Sequence, residues 1–287
     1  MRTFFLALAA LLALAATADA ETVPIVAAEN FYGDVASQIG GDLVTVTSIL
    51  SNPDQDPHLF EASASTARLL ASARIVVLNG IDYDPWMTKL LAGSPSRKRE
   101  TIEVAKLMRR KSGDNPHLWY DPETMPKFAE ALAKPLEAHD PEHARVYERN
   151  VAAFVASLAP LNAKIAAMKA MHAGKPVTAT EPVFGYMAAA LGLKMRNEKF
   201  QIAIMNDTEP AASDIAAFED DLHKRAVAVL FFNSQTSGPL AAKMQALAKE
   251  SGVPVVGVSE TEPPGMKYQD WMLAQLNALD AALASKP

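Results

Sequence analysis

The feature that most restricts what this chain can fold into is a rhythm that occurs twice. Short runs of β-branched and aliphatic residues at 22–27, 43–49 and 74–79 read as strands, with helix-spaced apolar residues at 31–39 and 64–71 between them. The rhythm returns with strand patterns at 176–179, 226–232 and 253–258. Helical patterns at 183–191, 212–225, 239–250 and 268–284 separate and follow them. A parallel pair of strands needs a long crossover, usually a helix, so this alternation predicts parallel sheets covered by helices. The expected fold class is α/β: two lobes, each a mainly parallel sheet flanked by helices.

The middle of the chain reads differently. From residue 123 to 171 it is rich in Ala, Glu, Lys and Leu and carries no strand pattern. Asp140 can cap a helix that begins with Pro141. From there to His172 a continuous helix would measure about 45 Å. That exceeds a single crossover and suits a rigid spine between lobes, with Pro160 expected to bend it. The expected organisation is therefore a leader at 1–20, an N-terminal lobe at 21–140, a linking helix at 141–172 and a C-terminal lobe at 173–287.

The leader reading rests on Arg2, the apolar run 4–16 and the small-residue sequence Ala18-Asp19-Ala20. That order predicts export and cleavage after Ala20. No later stretch reads as long and apolar enough to span a bilayer, so no membrane insertion is expected. The sequence has no cysteine, which excludes disulfides, thiolate metal ligands and a lipid-modified cysteine. A diffusible periplasmic monomer is the expectation. A formal net charge of −6 argues against nucleic acid and anionic membranes as partners. There is no Gly-rich phosphate loop and no G-x-S-x-G elbow, and the chain does not read as an enzyme.

Four places put metal-ligand residue types at strand ends or in loops. His58 in 56-DPHLFEAS-63 and His117 in 115-NPHLWYDP-122 share a Pro-His-Leu core followed by an aromatic. Glu181 in 180-TEPVFGY-186 and Glu260 in 258-VSETEPPG-265 each follow a strand pattern. In doubly wound sheets ligands bind beyond the carboxyl ends of strands, so a cleft between lobes can gather these two imidazoles and two carboxylates. Such a set, with no sulfur, suits Mn²⁺, Zn²⁺ or Fe²⁺. His139, His143, His172 and His223 lie in charged helical segments and read as solvated. Trp119, Tyr120, Phe184 and Tyr186 are expected to wall the cleft. Two other readings fit parts of the pattern: a metal-dependent hydrolase, and a binding protein for a small organic solute.

Together with Val-Leu-Asn-Gly at 77–80, Asn-Asp-Thr-Glu-Pro at 206–210 and the long middle helix, these motifs make the chain resemble a known family. It is similar, over nearly its whole length, to the zinc- and manganese-type periplasmic substrate-binding proteins of bacterial metal ABC importers. The resemblance implies two α/β lobes on one rigid helix, with a divalent ion held between them by two ligands from each lobe. His58 and His117 match the family's two histidines, and Glu181 the third ligand. Glutamate at that place resembles the manganese-type branch. The fourth ligand is usually Asp, where this chain has Glu260 or Glu262. The implied role is capture of the ion and delivery to a membrane permease, without catalysis.

Overall fold

The computed structural model describes residues 22–54, 57, 60–236 and 238–284. The leader reading and His58 lie outside the described residues. The first lobe runs β1 (Val23–Glu29), α1 (Asn30–Gly40), β2 (Val44–Leu50), α2 (Ala64–Ser72), β3 (Ile75–Leu78), α3 (Pro85–Gly93), β4 (Glu100–Glu103) and α4 (Val104–Leu107). Three helices follow: α5 (Thr124–His139), α6 (Ala144–Ser157) and α7 (Ala159–His172). The second lobe runs β5 (Pro176–Ala179), α8 (Gly185–Ala190), β6 (Lys194–Arg196), α9 (Glu198–Met205), α10 (Ala212–His223), β7 (Leu230–Asn233), α11 (Pro239–Glu250), β8 (Val255–Val258) and α12 (Tyr268–Ala284).

Each lobe holds a four-stranded parallel sheet, ordered β2-β1-β3-β4 and β6-β5-β7-β8. The order reverses direction between β1 and β3 in one sheet and between β5 and β7 in the other. Those switch points open crevices at the carboxyl ends of the strands. The central strands β1 and β3 are apolar almost throughout, as burial on both faces requires. The edge strands β4 and β6 read Glu-Thr-Ile-Glu and Lys-Met-Arg, so no apolar run announces them. Helix starts follow local chemistry: Ser63 and Thr66 form a capping box on α2, and Pro85 and Pro239 open α3 and α11.

One continuous apolar core crosses both lobes. Phe31 of α1 stacks on Trp119 with ring centroids 4.4 Å apart. Tyr120 meets Phe184 edge-on at 5.4 Å, and Phe184 stacks on Phe231 of β7 at 4.6 Å. Trp119, Tyr120 and Phe184 are thus buried in the core, and of the four aromatics expected to wall a cleft only Tyr186 is partly open to solvent.

The spine begins with a 3₁₀ turn, Pro141–His143, and Leu158 is a turn residue joining α6 to α7, with right-handed helical angles of −78° and −6°. Pro160 sits in the first turn of α7, where its missing N–H costs nothing. Contrary to the sequence reading, the helical run Pro141–His172 is long and apolar enough, by length and composition alone, to cross a membrane. Its alanine content accounts for this. In the fold it packs on α12, where Lys164 Nζ pairs with Asp280 at 2.7 Å. A second correction concerns His172, which is buried with Nε2 3.1 Å from Asp280. His139 and His223 are exposed as expected, while His143 turns back onto Asp140 at 2.8 Å.

Candidate metal centre

His117 caps the short 3₁₀ turn Leu118–Tyr120, which carries the chain from the first lobe's strand-end loops into α5. Its side chain has no exposed surface. Asn115, two residues earlier, accepts from the His117 backbone N–H at 3.1 Å and lies 2.6 Å from Nδ1. Asn115 Nδ2 donates to the Pro182 carbonyl across the lobe interface at 2.7 Å, so its oxygen is the atom turned toward the imidazole. The proton therefore sits on Nδ1, and Nε2 presents its lone pair. Nε2 lies 3.4 Å from Oε2 of Glu260 on the opposite lobe.

Glu181 follows β5 and Glu260 follows β8; β7 lies between those strands and ends at Asn233. The sheet order thus sets Asn233 between the two carboxylates. Its Nδ2 donates to Glu181 Oε2 at 3.0 Å and to Glu260 Oε1 at 2.5 Å. Thr236 Oγ1 donates to Glu181 Oε1 at 2.6 Å. Gln235 Oε1 accepts from the N–H groups of Glu260 and Thr261, which fixes the loop after β8. Glu181, Asn233 and Glu260 are exposed by 3%, 2% and 1%, so these acids meet one another out of water. Burial raises the Glu181 carboxyl above its ordinary range and the Glu260 charge adds to the rise, against the hydrogen bonds from Thr236 and Asn233. A cation placed there would relieve that repulsion.

Glu262 points elsewhere. Its backbone exchanges hydrogen bonds with the Asn30 side chain, and burial beside Asp34 pushes its carboxyl up to about 9. Of the two acids considered for the fourth ligand, Glu260 is the one facing His117. The structure therefore brings His117, Glu181 and Glu260 to one place. Among the described residues, no three His, Asp or Glu side chains already stand at ion-holding distances. The Asn233 amide between the carboxylates is a physical reason for this.

Sequence reasoning missed Asn115, Asn233, Gln235 and Thr236. Asn115 carried a usable signal, a side-chain acceptor two residues before the histidine. Asn233 carried another, as a polar residue closing the apolar strand at a switch point. A separate cavity of about 670 Å³ opens on the other side of Asn115 and Pro182, lined by Ile81, Tyr186, Gln201, Ile202 and Met205 among others. None of His117, Glu181 and Glu260 lines it, and no arginine does.

Several comparisons bear on this arrangement. Residues 25–282 match the family described as ZnuA, zinc-uptake complex component A, periplasmic. The chain is 25% identical to the iron ABC transporter substrate-binding lipoprotein MtsA of Streptococcus pyogenes, over 93% of this chain and 91% of that one. It is 26% identical to the zinc-binding lipoprotein AdcA of Streptococcus pneumoniae, over 86% of this chain and 53% of that longer protein. Its fold is similar to that of the periplasmic zinc-binding protein TroA from Treponema pallidum, with a TM-score of 0.78 at 20% identity over 92% of this chain and all of that one. It is similar also to FpvC from Pseudomonas aeruginosa, solved with Mn²⁺, with a TM-score of 0.74 at 22% identity over 92% of this chain and 98% of that one. The match to the family spans both lobes, both switch-point crevices and the helices between them, and the chain belongs to the ZnuA family of metal-binding, periplasmic components of ABC importers.

Proposed function

We propose that this protein captures a divalent transition-metal ion between its lobes and hands it to the membrane permease of an ABC importer. The observation that carries the reading is the buried pairing of His117 Nε2, its tautomer set by Asn115, with Glu260 of the facing lobe, which Asn233 joins to Glu181. The ligands of the proposal are His117, Glu181 and Glu260, with His58 added on the resemblance of its Asp-Pro-His motif. The ion is Mn²⁺, Zn²⁺ or Fe²⁺, which share imidazole and carboxylate ligands. The relatives compared above are named for iron and zinc or were solved with manganese, which supports the class more than any one member.

Capture needs deprotonated ligands, and the burial that raises the Glu181 carboxyl works against this until a cation is present. The core shared by the lobes and the bonds Asn115–Pro182, Asn30–Glu262 and Tyr268–Trp119 support a cleft that opens by small movements. The leader motif supports export to the periplasm, and the lack of any cysteine supports a form without a lipid, unlike MtsA and AdcA, which are named lipoproteins. The organisation of the proposal is two lobes, 21–140 and 173–287, on a 141–172 spine, acting as a monomer.

Calorimetric titration of chelator-stripped protein tests the reading. Wild type is expected to take up metal stoichiometrically, and His58→Ala and His117→Ala to bind far more weakly. Unchanged affinity in both variants would place the ion elsewhere.

A further inference from the structure

We propose that the cavity of about 670 Å³ between the lobes is a second binding site, for a small organic cation with an apolar body and an ammonium head, and that filling it strengthens metal capture next door. Pockets for organic ligands are mostly apolar clefts of about 300–1,000 Å³ at domain boundaries, with a few polar groups that fix orientation. This cavity has that form. Ile81 and Pro116 line it from the first lobe, and Leu193, Met195, Ile202 and Met205 from the second. Ile202 is 48% exposed there, apolar surface that a ligand would cover. The charged groups at the cavity are all of one sign: Asp82, Asp114 and Glu198 line it, and among the described lining residues none is Lys, Arg or His. Arg110 lies over the Tyr186 ring at 4.8 Å, but it pairs with Asp121 at 3.2 Å and does not line the cavity. Gln201 adds a fixed acceptor. It is 1% exposed, its Nε2 donates to the Arg196 carbonyl at 2.6 Å, and its Oε1 has no hydrogen-bond partner among the described residues. An ammonium group brings positive charge and three donors to these acceptors, whereas an anion meets repulsion.

Backbone strain marks the same wall. Gly80, Ile81 and Asp82 stand in succession at φ of 82°, 47° and 63°, a left-handed run that a β-branched residue rarely adopts. Asp84 accepts from the Asn79 and Gly80 N–H groups at 2.6 and 2.9 Å, and Ser112 Oγ donates to Asp82 at 2.7 Å. The strained turn is thus held where it sets Ile81 and Asp82 in the cavity wall. Asn115 stands between the cavity and His117, bonded to Pro182 of the other lobe. Because both lobes build the cavity, a cation seated in it favours the arrangement in which they meet, as does a metal held by residues of both. Each ligand then raises the affinity of the other by the same factor. The three acids at the cavity offset the repulsion between the two cations. This coupling, unlike the cavity site itself, rests on the ligand set proposed above.

The test titrates the mature chain, with and without saturating Zn²⁺, against matched probes. Hexyl, 2-phenylethyl and 2-(indol-3-yl)ethyl bodies each carry an ammonium, a hydroxyl or a carboxylate. An ammonium probe is expected to bind about tenfold or more tighter than its alcohol, the effect of a hydrogen bond to a charged group, and the carboxylates not to bind. Ile202 and Glu198 are exposed, so Ile202→Arg and Glu198→Gln should keep the wild-type urea midpoint. Ile202→Arg should abolish ammonium binding, and Glu198→Gln should weaken it. With Zn²⁺ saturating, the ammonium should bind about fivefold tighter or more, the lower end for coupled sites, and Zn²⁺ should gain the same factor when the probe is present. His117→Ala should remove that factor while the metal-free chain still binds the probe. Binding of no ammonium probe at millimolar concentration, equal binding of ammonium and carboxylate, or unchanged binding in Ile202→Arg overturns the site. Equal probe affinity with and without bound Zn²⁺ overturns the coupling. A chain that binds the ammonium but takes up no Zn²⁺ refutes the ligand set instead, and supports the cavity site.

Discussion

Replacing Asn115 by Ala removes one side chain that serves both lobes. It deletes the acceptor for His117 Nδ1–H at 2.6 Å and for the His117 N–H at 3.1 Å, and the donor to the Pro182 carbonyl at 2.7 Å. His117 and Pro182 are buried, so each group left unpaired costs about 1–3 kcal/mol, offset where water can enter the space vacated. A net loss of about 2–4 kcal/mol in stability follows, within the range for breaking a buried network. Metal affinity suffers separately, because the imidazole can then rotate or carry its proton on Nε2. Losing an outer-shell partner of a ligating histidine costs about 10–100-fold in affinity, or roughly 1.4–2.7 kcal/mol. Asn115→Asp separates the two effects. Its carboxylate still accepts from Nδ1–H and makes the imidazole more basic, but it cannot donate to Pro182. That variant should bind metal at least as tightly as Asn115→Ala does, while losing stability by a comparable amount. Calorimetry for affinity and urea unfolding for stability are the assays. If Asn115→Ala binds metal within about twofold of wild type, the tautomer argument fails.

Other outcomes follow from the same contacts. A Cβ on Gly185 would lie 2.8 Å from Asn115 Nδ2, so Gly185→Ala should push Asn115 off Pro182 and weaken metal binding without altering any ligand; titration of that variant checks it. Glu260→Gln should lower affinity by at least about tenfold, as for loss of a charged ligand, whereas Glu262→Gln should leave it nearly unchanged; equal effects would reopen the choice of fourth ligand. Burial, and then the adjoining Asp84 carboxylate, raise the Glu29 carboxyl well above its ordinary 4.5. As pH rises through 4.5 the unfolded chain loses that proton first, so this group removes stability with rising pH. Glu29→Gln, which cannot ionise, should match wild type near pH 4 and exceed it near pH 8 in denaturant midpoints.

The sequence exposed those parts of the fold that a buried parallel sheet imposes on composition. The central strands β1, β3, β5 and β7 and the edge strand β8 are largely apolar, and the runs that mark them fall within a few residues of the observed strands. The edge strands β4 and β6 carry charges, so Glu100–Glu103 and Lys194–Arg196 were hidden. The short helix Glu198–Met205 was hidden too, since it starts behind Asn197 in a left-handed conformation that no periodicity reveals. At the candidate site, His117 stood out after Pro116, and Glu181 and Glu260 after the ends of apolar strand runs. Their partners did not. Asn233 and Thr236 gain meaning only once β7 is known to lie between β5 and β8. The burial of His172 likewise depends on α12 returning to pack against α7, where Asp280 meets it.

The central claim is that one divalent ion sits between the lobes on residues from both. Elemental analysis of the protein purified from its native compartment, without added metal, measures this directly, with a His117→Ala/Glu260→Ala double variant prepared in parallel. The account predicts about one transition-metal ion per chain in wild type and almost none in the variant. Wild type without metal, or a variant retaining the wild-type content, would contradict it.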